Sequence, residues 1–203
     1  MRVISTVLMA IGAIGIIVIA AMLMGLVLFS LDPPIKDQLV KTSVSSDAVK
    51  SFDQKVAAFK QKIESSIAAK EKNEVMITVT SEEINSKMIE LLAQGDLPFK
   101  ETLINFDNNL CKVYTLSNNP GINAKIGLIA QLMVTKGDVK IVVVDFQLGK
   151  LPLPQPIVKE VGNILDVLYK MQGITEDLHI DITSIAVSDG KLTLKATTKP
   201  PAK

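Results

Sequence analysis

The stretch Lys125-Ile126-Gly127-Leu128-Ile129-Ala130-Gln131-Leu132-Met133-Val134-Thr135-Lys136-Gly137-Asp138-Val139-Lys140-Ile141-Val142-Val143-Val144-Asp145-Phe146-Gln147 decides the fold class. Two alternating runs rich in β-branched residues flank Lys136-Gly137-Asp138, residues that tolerate left-handed turn geometry. The pattern predicts a β-hairpin with strands over 124–135 and 139–147. In the first strand Ile126, Leu128, Ala130, Leu132 and Val134 share one face, while Ile129 and Met133 add apolar groups to the other. In the second, simple alternation puts Val139, Ile141 and Val143 on one face and Val142, Val144 and Phe146 on the other. A sheet with one wet face alternates cleanly between apolar and polar residues, so this hairpin needs cover on both faces. Either helices supply it, or one face lines a groove for an acyl chain or an apolar peptide. On the second reading the groove is lined by Ile129, Met133, Val142, Val144 and Phe146, with Leu128 and Val143 behind them.

Further strands are expected on both sides of this hairpin. Val75, Ile77 and Val79 mark one over 74–80; others are expected over 102–106, 110–117, 178–187 and 191–198. Asp107-Asn108-Asn109 and Ser188-Asp189-Gly190 offer two more tight turns. Val49, Phe52, Val56, Phe59 and Ile63 form an apolar stripe on a helix. Thr80-Ser81-Glu82-Glu83 is a capping box opening a second helix, with Ile84, Met88, Leu91 and Leu92 on its apolar face. Pro156, followed by Ile157, Val158, Val161, Ile164, Leu165 and Leu168, opens a third. The expected fold is α+β: a curved antiparallel sheet of about six or seven strands with three helices.

Val3 to Leu31 is a run of 29 residues without a charge. As a helix it would extend about 43 Å, enough to cross a hydrocarbon core of about 30 Å. A cleaved signal peptide has a shorter apolar core followed by a small-residue cleavage site. The expectation is therefore an uncleaved single-pass anchor over 1–31, a juxtamembrane linker over 32–45, and an extracytoplasmic domain over 46–203. With Arg2 at its start, the segment reads as a signal anchor in the cytoplasmic membrane, N-terminus inside and domain outside.

The 203-residue chain carries 22 Lys and Arg against 21 Asp and Glu, a net charge of +1, which argues against nucleic acid as a partner. One cysteine and one histidine leave no disulfide framework, no multi-cysteine metal site and no histidine cluster. His179 and Asp181 fall on one face of a predicted strand, but no nucleophile motif accompanies them. Cys111 reads as an inert buried thiol. Asp138, Asp145, Asp166 and Asp189 fit no calcium-loop spacing. No catalytic residue, metal or cofactor is expected.

Val79-Thr80-Ser81-Glu82-Glu83-Ile84-Asn85 and Gly149-Lys150-Leu151-Pro152-Leu153-Pro154, each opening a helix behind a single N-terminal anchor, resemble the YpmS-type family of bacterial envelope proteins over residues 75–195. That resemblance implies an anchored α+β domain. Lipid binding is implied in turn, through similarity to tubular lipid-binding domains. It carries over no functional residue. The expected function is non-enzymatic binding of a lipid or other apolar ligand beside the bilayer. The alternative is a scaffold or assembly subunit that docks on a membrane protein partner through the 46–70 helix.

Overall fold

The computed structural model describes residues 27–95, 99–117, 124–151, 153–171 and 174–199. The predicted anchor therefore lies outside the described residues except for 27–31. Among the described residues no helix is long and apolar enough to cross a membrane.

The fold is α+β, with two antiparallel sheets where one was expected. In chain order the elements are α1 (Ser46–Ala69), β1 (Glu74–Thr80), α2 (Ser81–Gln94), β2 (Phe99–Asp107), β3 (Leu110–Ser117), β4 (Lys125–Thr135), β5 (Asp138–Leu148), α3 (Gln155–Met171), α4 (Ile174–Asp177), β6 (Ile180–Ser188) and β7 (Lys191–Thr198). One sheet has the order β1-β7-β6, the other β2-β3-β4-β5. The β2–β3, β4–β5 and β6–β7 turns place Asn108-Asn109, Lys136-Gly137 and Asp189-Gly190 at positive φ. Two consecutive left-handed residues match the right-handed twist of the strands they join. Strand β6 starts two residues later than alternation predicts, because His179 also has positive φ and lies in a turn.

The core lies between α1 and the three-stranded sheet. Ile63, Val75, Ile180, Ile182 and Ala196 are buried there, with Phe59 and Ile67 of α1 and Val134 and Val139 of the β4–β5 hairpin packed against them. The C-terminal part of the α1 stripe, Phe59 and Ile63, is thus used inside the domain.

Helix α2 buries polar residues: Ser81, Glu83, Asn85 and Ser86. The reason is the free edge of β2. Asn85 accepts from the Ile104 N–H at 2.7 Å and donates to the Ile104 carbonyl at 2.8 Å. One turn away, Ser81 Oγ accepts from the Phe106 N–H at 3.0 Å. Side chains four apart on the helix thereby satisfy backbone groups two apart on the strand, as a neighbouring strand would. An open edge invites pairing with another chain.

Within the expected linker 32–45, residues 32–40 lie on the four-stranded sheet and Thr42, Ser43 and Ser45 meet α2. Ile35 is fully buried and Leu39 nearly so. A Cβ on Gly127 would collide with Ile35 Cγ2, so glycine makes the slot that Ile35 fills. The Ile35 N–H donates to Gln147 Oε1 at 3.0 Å, and the Val40 N–H donates to Asn105 Oδ1 at 2.7 Å. At the start of this strap, Asp32 takes Lys125 at 3.1 Å and Lys36 at 3.2 Å. The Lys125 hydrogen bond outweighs burial and holds the Asp32 carboxyl below its ordinary value. Lys36 also sits 4.5 Å from the centroid of the Tyr114 ring. A segment opened by two prolines and anchored by only Ile35 and Leu39 shows no repeating period, so alternation and stripe patterns do not reveal its docking.

Two predictions follow from this packing. Burying Ile35 and Leu39 contributes about 1.5–3 kcal/mol each. A fragment of residues 46–203 should therefore unfold at lower urea than one of residues 32–203, by roughly 3 kcal/mol or more; equal midpoints would show that the strap is only a tether. The second prediction concerns Glu83, which closes the capping box with Thr80 and meets Lys55 at 2.7 Å. Burial pushes its carboxyl up, but hydrogen bonds from Lys55, Ser51 and the Thr80 N–H together bring it below its ordinary value of 4.5. Its stabilising effect is then full above that value and is lost as pH falls through the lower folded-state value. Glu83→Gln should cost about 1 kcal/mol at neutral pH and should flatten the fall in stability below pH 4.5, measured by urea midpoints across the acid range.

Candidate functional site

The site candidates lie on β4 and β5, and register decides which of them meet. From the open end, Ile126, Leu128 and Ile129 pair with Leu148, Phe146 and Asp145. Beyond them Ala130, Gln131, Leu132 and Met133 pair with Val143, Val142, Ile141 and Lys140. Val144 is the extra residue of a β-bulge. A bulge reverses the parity of everything beyond it. Phe146 therefore shares a face with Leu128 and Val143, not with Val142.

This splits the expected groove set of Ile129, Met133, Val142, Val144 and Phe146. Ile129 lies opposite Asp145, Met133 opposite Lys140 and Val142 opposite Gln131, on a face that mixes apolar and polar groups. The Ile35 strap covers the Gly127 and Gln147 end of that face. Met133 and Val144 are exposed. Phe146 alone belongs to the other face, whose members Leu128 and Val143 had been placed behind the groove.

That second face is apolar at every β4–β5 pair: Ile126 with Leu148, Leu128 with Phe146, Ala130 with Val143, Leu132 with Ile141, and Val134 with Val139. Val113 and Cys111 of β3 extend it beside Leu128 and Ala130. Val134 and Val139 pack toward the core and Ala130 is buried. The other seven β4–β5 side chains are only half-buried. Helix α3 lies along β5, where Gly162 is small enough to rest on Val143 and Val158 is buried. The helix flank bearing Lys159, Asn163 and Asp166 borders a cavity of about 290 Å³ with Lys140–Val143. Ile157, Ile164 and Val167 of the same helix are exposed.

Little nucleophilic or acid–base chemistry is assembled. Desolvation pushes the Cys111 thiol up to about 11, so it stays protonated at neutral pH. His179 is exposed, with Nδ1 3.1 Å from the Asp177 carbonyl, while Asp181 is engaged by Lys199. The two residues do not form the pair that their shared strand face suggested. They border a polar cavity of about 390 Å³ with Asp138 and Thr175, in which Thr175 donates to Asp138 at 3.3 Å. Among the described residues no three His, Cys, Asp or Glu side chains are grouped to hold a metal ion.

No family model matches the chain, and no curated protein matches it.

The sequence signal that locates the site is a change of parity. Asp138 and Lys140, the polar residues of β5 before the bulge, have even numbers; Asp145 and Gln147, after it, have odd numbers. Polar residues that switch parity within one strand mark an inserted residue.

Proposed function

We propose that this chain is a membrane-anchored, non-enzymatic protein of the cell envelope whose domain binds a lipid acyl chain, or another apolar ligand, on the face carrying Leu128 and Phe146. The observation that supports this most is the unbroken apolar ladder of β4 and β5, half-buried over nine of its ten side chains. Acyl-chain sites are mostly apolar with few polar groups, and this face has no polar member between Ile126 and Val134. The uncharged run 3–31 supports the anchor, with the N-terminus inside and the domain outside. The resemblance to the YpmS-type family points the same way. The scaffold alternative keeps less of its surface, since Phe59 and Ile63 of the α1 stripe pack in the core, which leaves Val49, Phe52 and Val56 for a partner.

The test uses the fragment 32–203, a fluorescent fatty-acid probe and urea midpoints. Phe146→Ala and Leu128→Ala should weaken probe binding about three- to tenfold, or roughly 0.7–1.4 kcal/mol. They should cost the empty domain only about 1 kcal/mol. Ile129→Ala and Met133→Ala should leave probe affinity unchanged. If the parent fails to bind the probe, and Phe146→Ala costs the roughly 3–5 kcal/mol of a packed core phenylalanine, the face is core and the proposal fails.

A further inference from the structure

We infer that the exposed apolar flank of α3 docks on the surface of the bilayer that holds the N-terminal segment, so that the ligand face opens beside the lipid. The inference rests on the anchor part of the reading above. It starts from a contact between distant parts of the chain. Residues 27–30 are helical, and the Lys150 N–H donates to the Leu28 carbonyl at 2.7 Å. Gly149 makes this approach possible: it has φ +59°, and a side chain there would collide with the Leu28 carbonyl oxygen. The end of the uncharged run is thus fixed to the loop that leads into α3.

Length places that contact near the membrane. Residues 3–26 supply 24 uncharged residues, about 36 Å as a helix against a hydrocarbon core of about 30 Å. Leu28 then falls in the headgroup layer, and Gly149 and Lys150 with it. Helix α3 begins at Gln155, five residues further on. Five residues reach at most about 18 Å. What arrives there is amphipathic. Val158 and Gly162 face β5, Lys159 and Asn163 form the polar side, and Ile157 and Ile164 stay 47% and 51% exposed. The charged residue on this flank is the exposed Glu160, and an apolar flank edged by a charged side chain suits the boundary between headgroups and acyl chains. The bilayer continues from the anchor itself, which favours it as the occupant.

The test uses the full chain in vesicles of phosphatidylcholine and phosphatidylglycerol. In a Cys111→Ser background, Ile157→Cys, Ile164→Cys and, as an exposed control on α1, Lys60→Cys each carry an NBD label. Flotation reports the anchor. Quenching by nitroxide-labelled lipid acyl chains reports depth. The expected result is that the protein floats, that labels at 157 and 164 shift to the blue and lose most of their emission to the nitroxide lipids, and that the control does neither. If the protein floats but labels at 157 and 164 behave like the control, docking is overturned while the anchor stands. If they shift to the blue without lipid quenching, protein covers the flank and docking is again overturned. Failure to float removes the anchor, and the docking with it.

Discussion

The seating of Ile35 against Gly127 is the contact on which the arrangement of the four-stranded sheet depends. It covers part of one face with residues 32–40, whose short 3-10 helix Pro34–Gln38 carries Ile35, through the Gln147 and Asn105 side chains. Polar residues on that face then have partners: Gln147 and Asn105 hold the strap, while Lys125 and Tyr114 hold Asp32. The opposite face keeps the aliphatic ladder. One face is closed at its Gly127 and Gln147 end by specific polar contacts, and the other is apolar along β4 and β5. The strap also carries the chain from residues 27–31, at the Gly149–Lys150 loop, to the start of α1.

The bulge at Val144 is the second determinant. Without it, Phe146 would stand beside Val142 on the strap side, and Asp145 would fall among the aliphatic residues. One inserted residue moves Asp145 and Gln147 to the strap side, where Gln147 receives the Ile35 N–H, and brings Phe146 opposite Leu128. The same insertion therefore serves both faces. Cys111 lies on the aliphatic face, and desolvation there pushes its thiol pKa up.

How legible these features are in the sequence depends on the range of the interaction behind them. The hairpin turns and the Thr80–Glu83 capping box are local, and each is visible in four or five residues. The α1 stripe is periodic and equally plain. Pairing of β1 with β7 joins residues more than a hundred positions apart, so alternation alone does not divide seven strands into two sheets. Strap docking hangs on Ile35 and Leu39 and on the missing side chain of Gly127, which no periodic pattern announces. Helix α2 keeps the partly buried Ile84, Met88, Leu91 and Leu92 on its apolar face, but Ser81, Asn85 and Ser86 are its deepest residues because the β2 edge and the end of the strap need donors and acceptors. The parity change in β5 was present in the sequence, yet a run of three valines at 142–144 hides which of them is inserted.

The central claim is that the Leu128–Phe146 face takes an acyl chain, and covalent mapping of the contact tests it most directly. The full chain would be loaded with a fatty acid bearing a photoactivatable diazirine near its methyl end, irradiated, and its adducts located by tandem mass spectrometry. The account predicts adducts on Leu128, Leu132, Ile141 and Phe146, lost on competition with unlabelled fatty acid. Competable adducts on Ile129, Gln131, Met133 or Val142 instead, or none on β4 and β5, would contradict it.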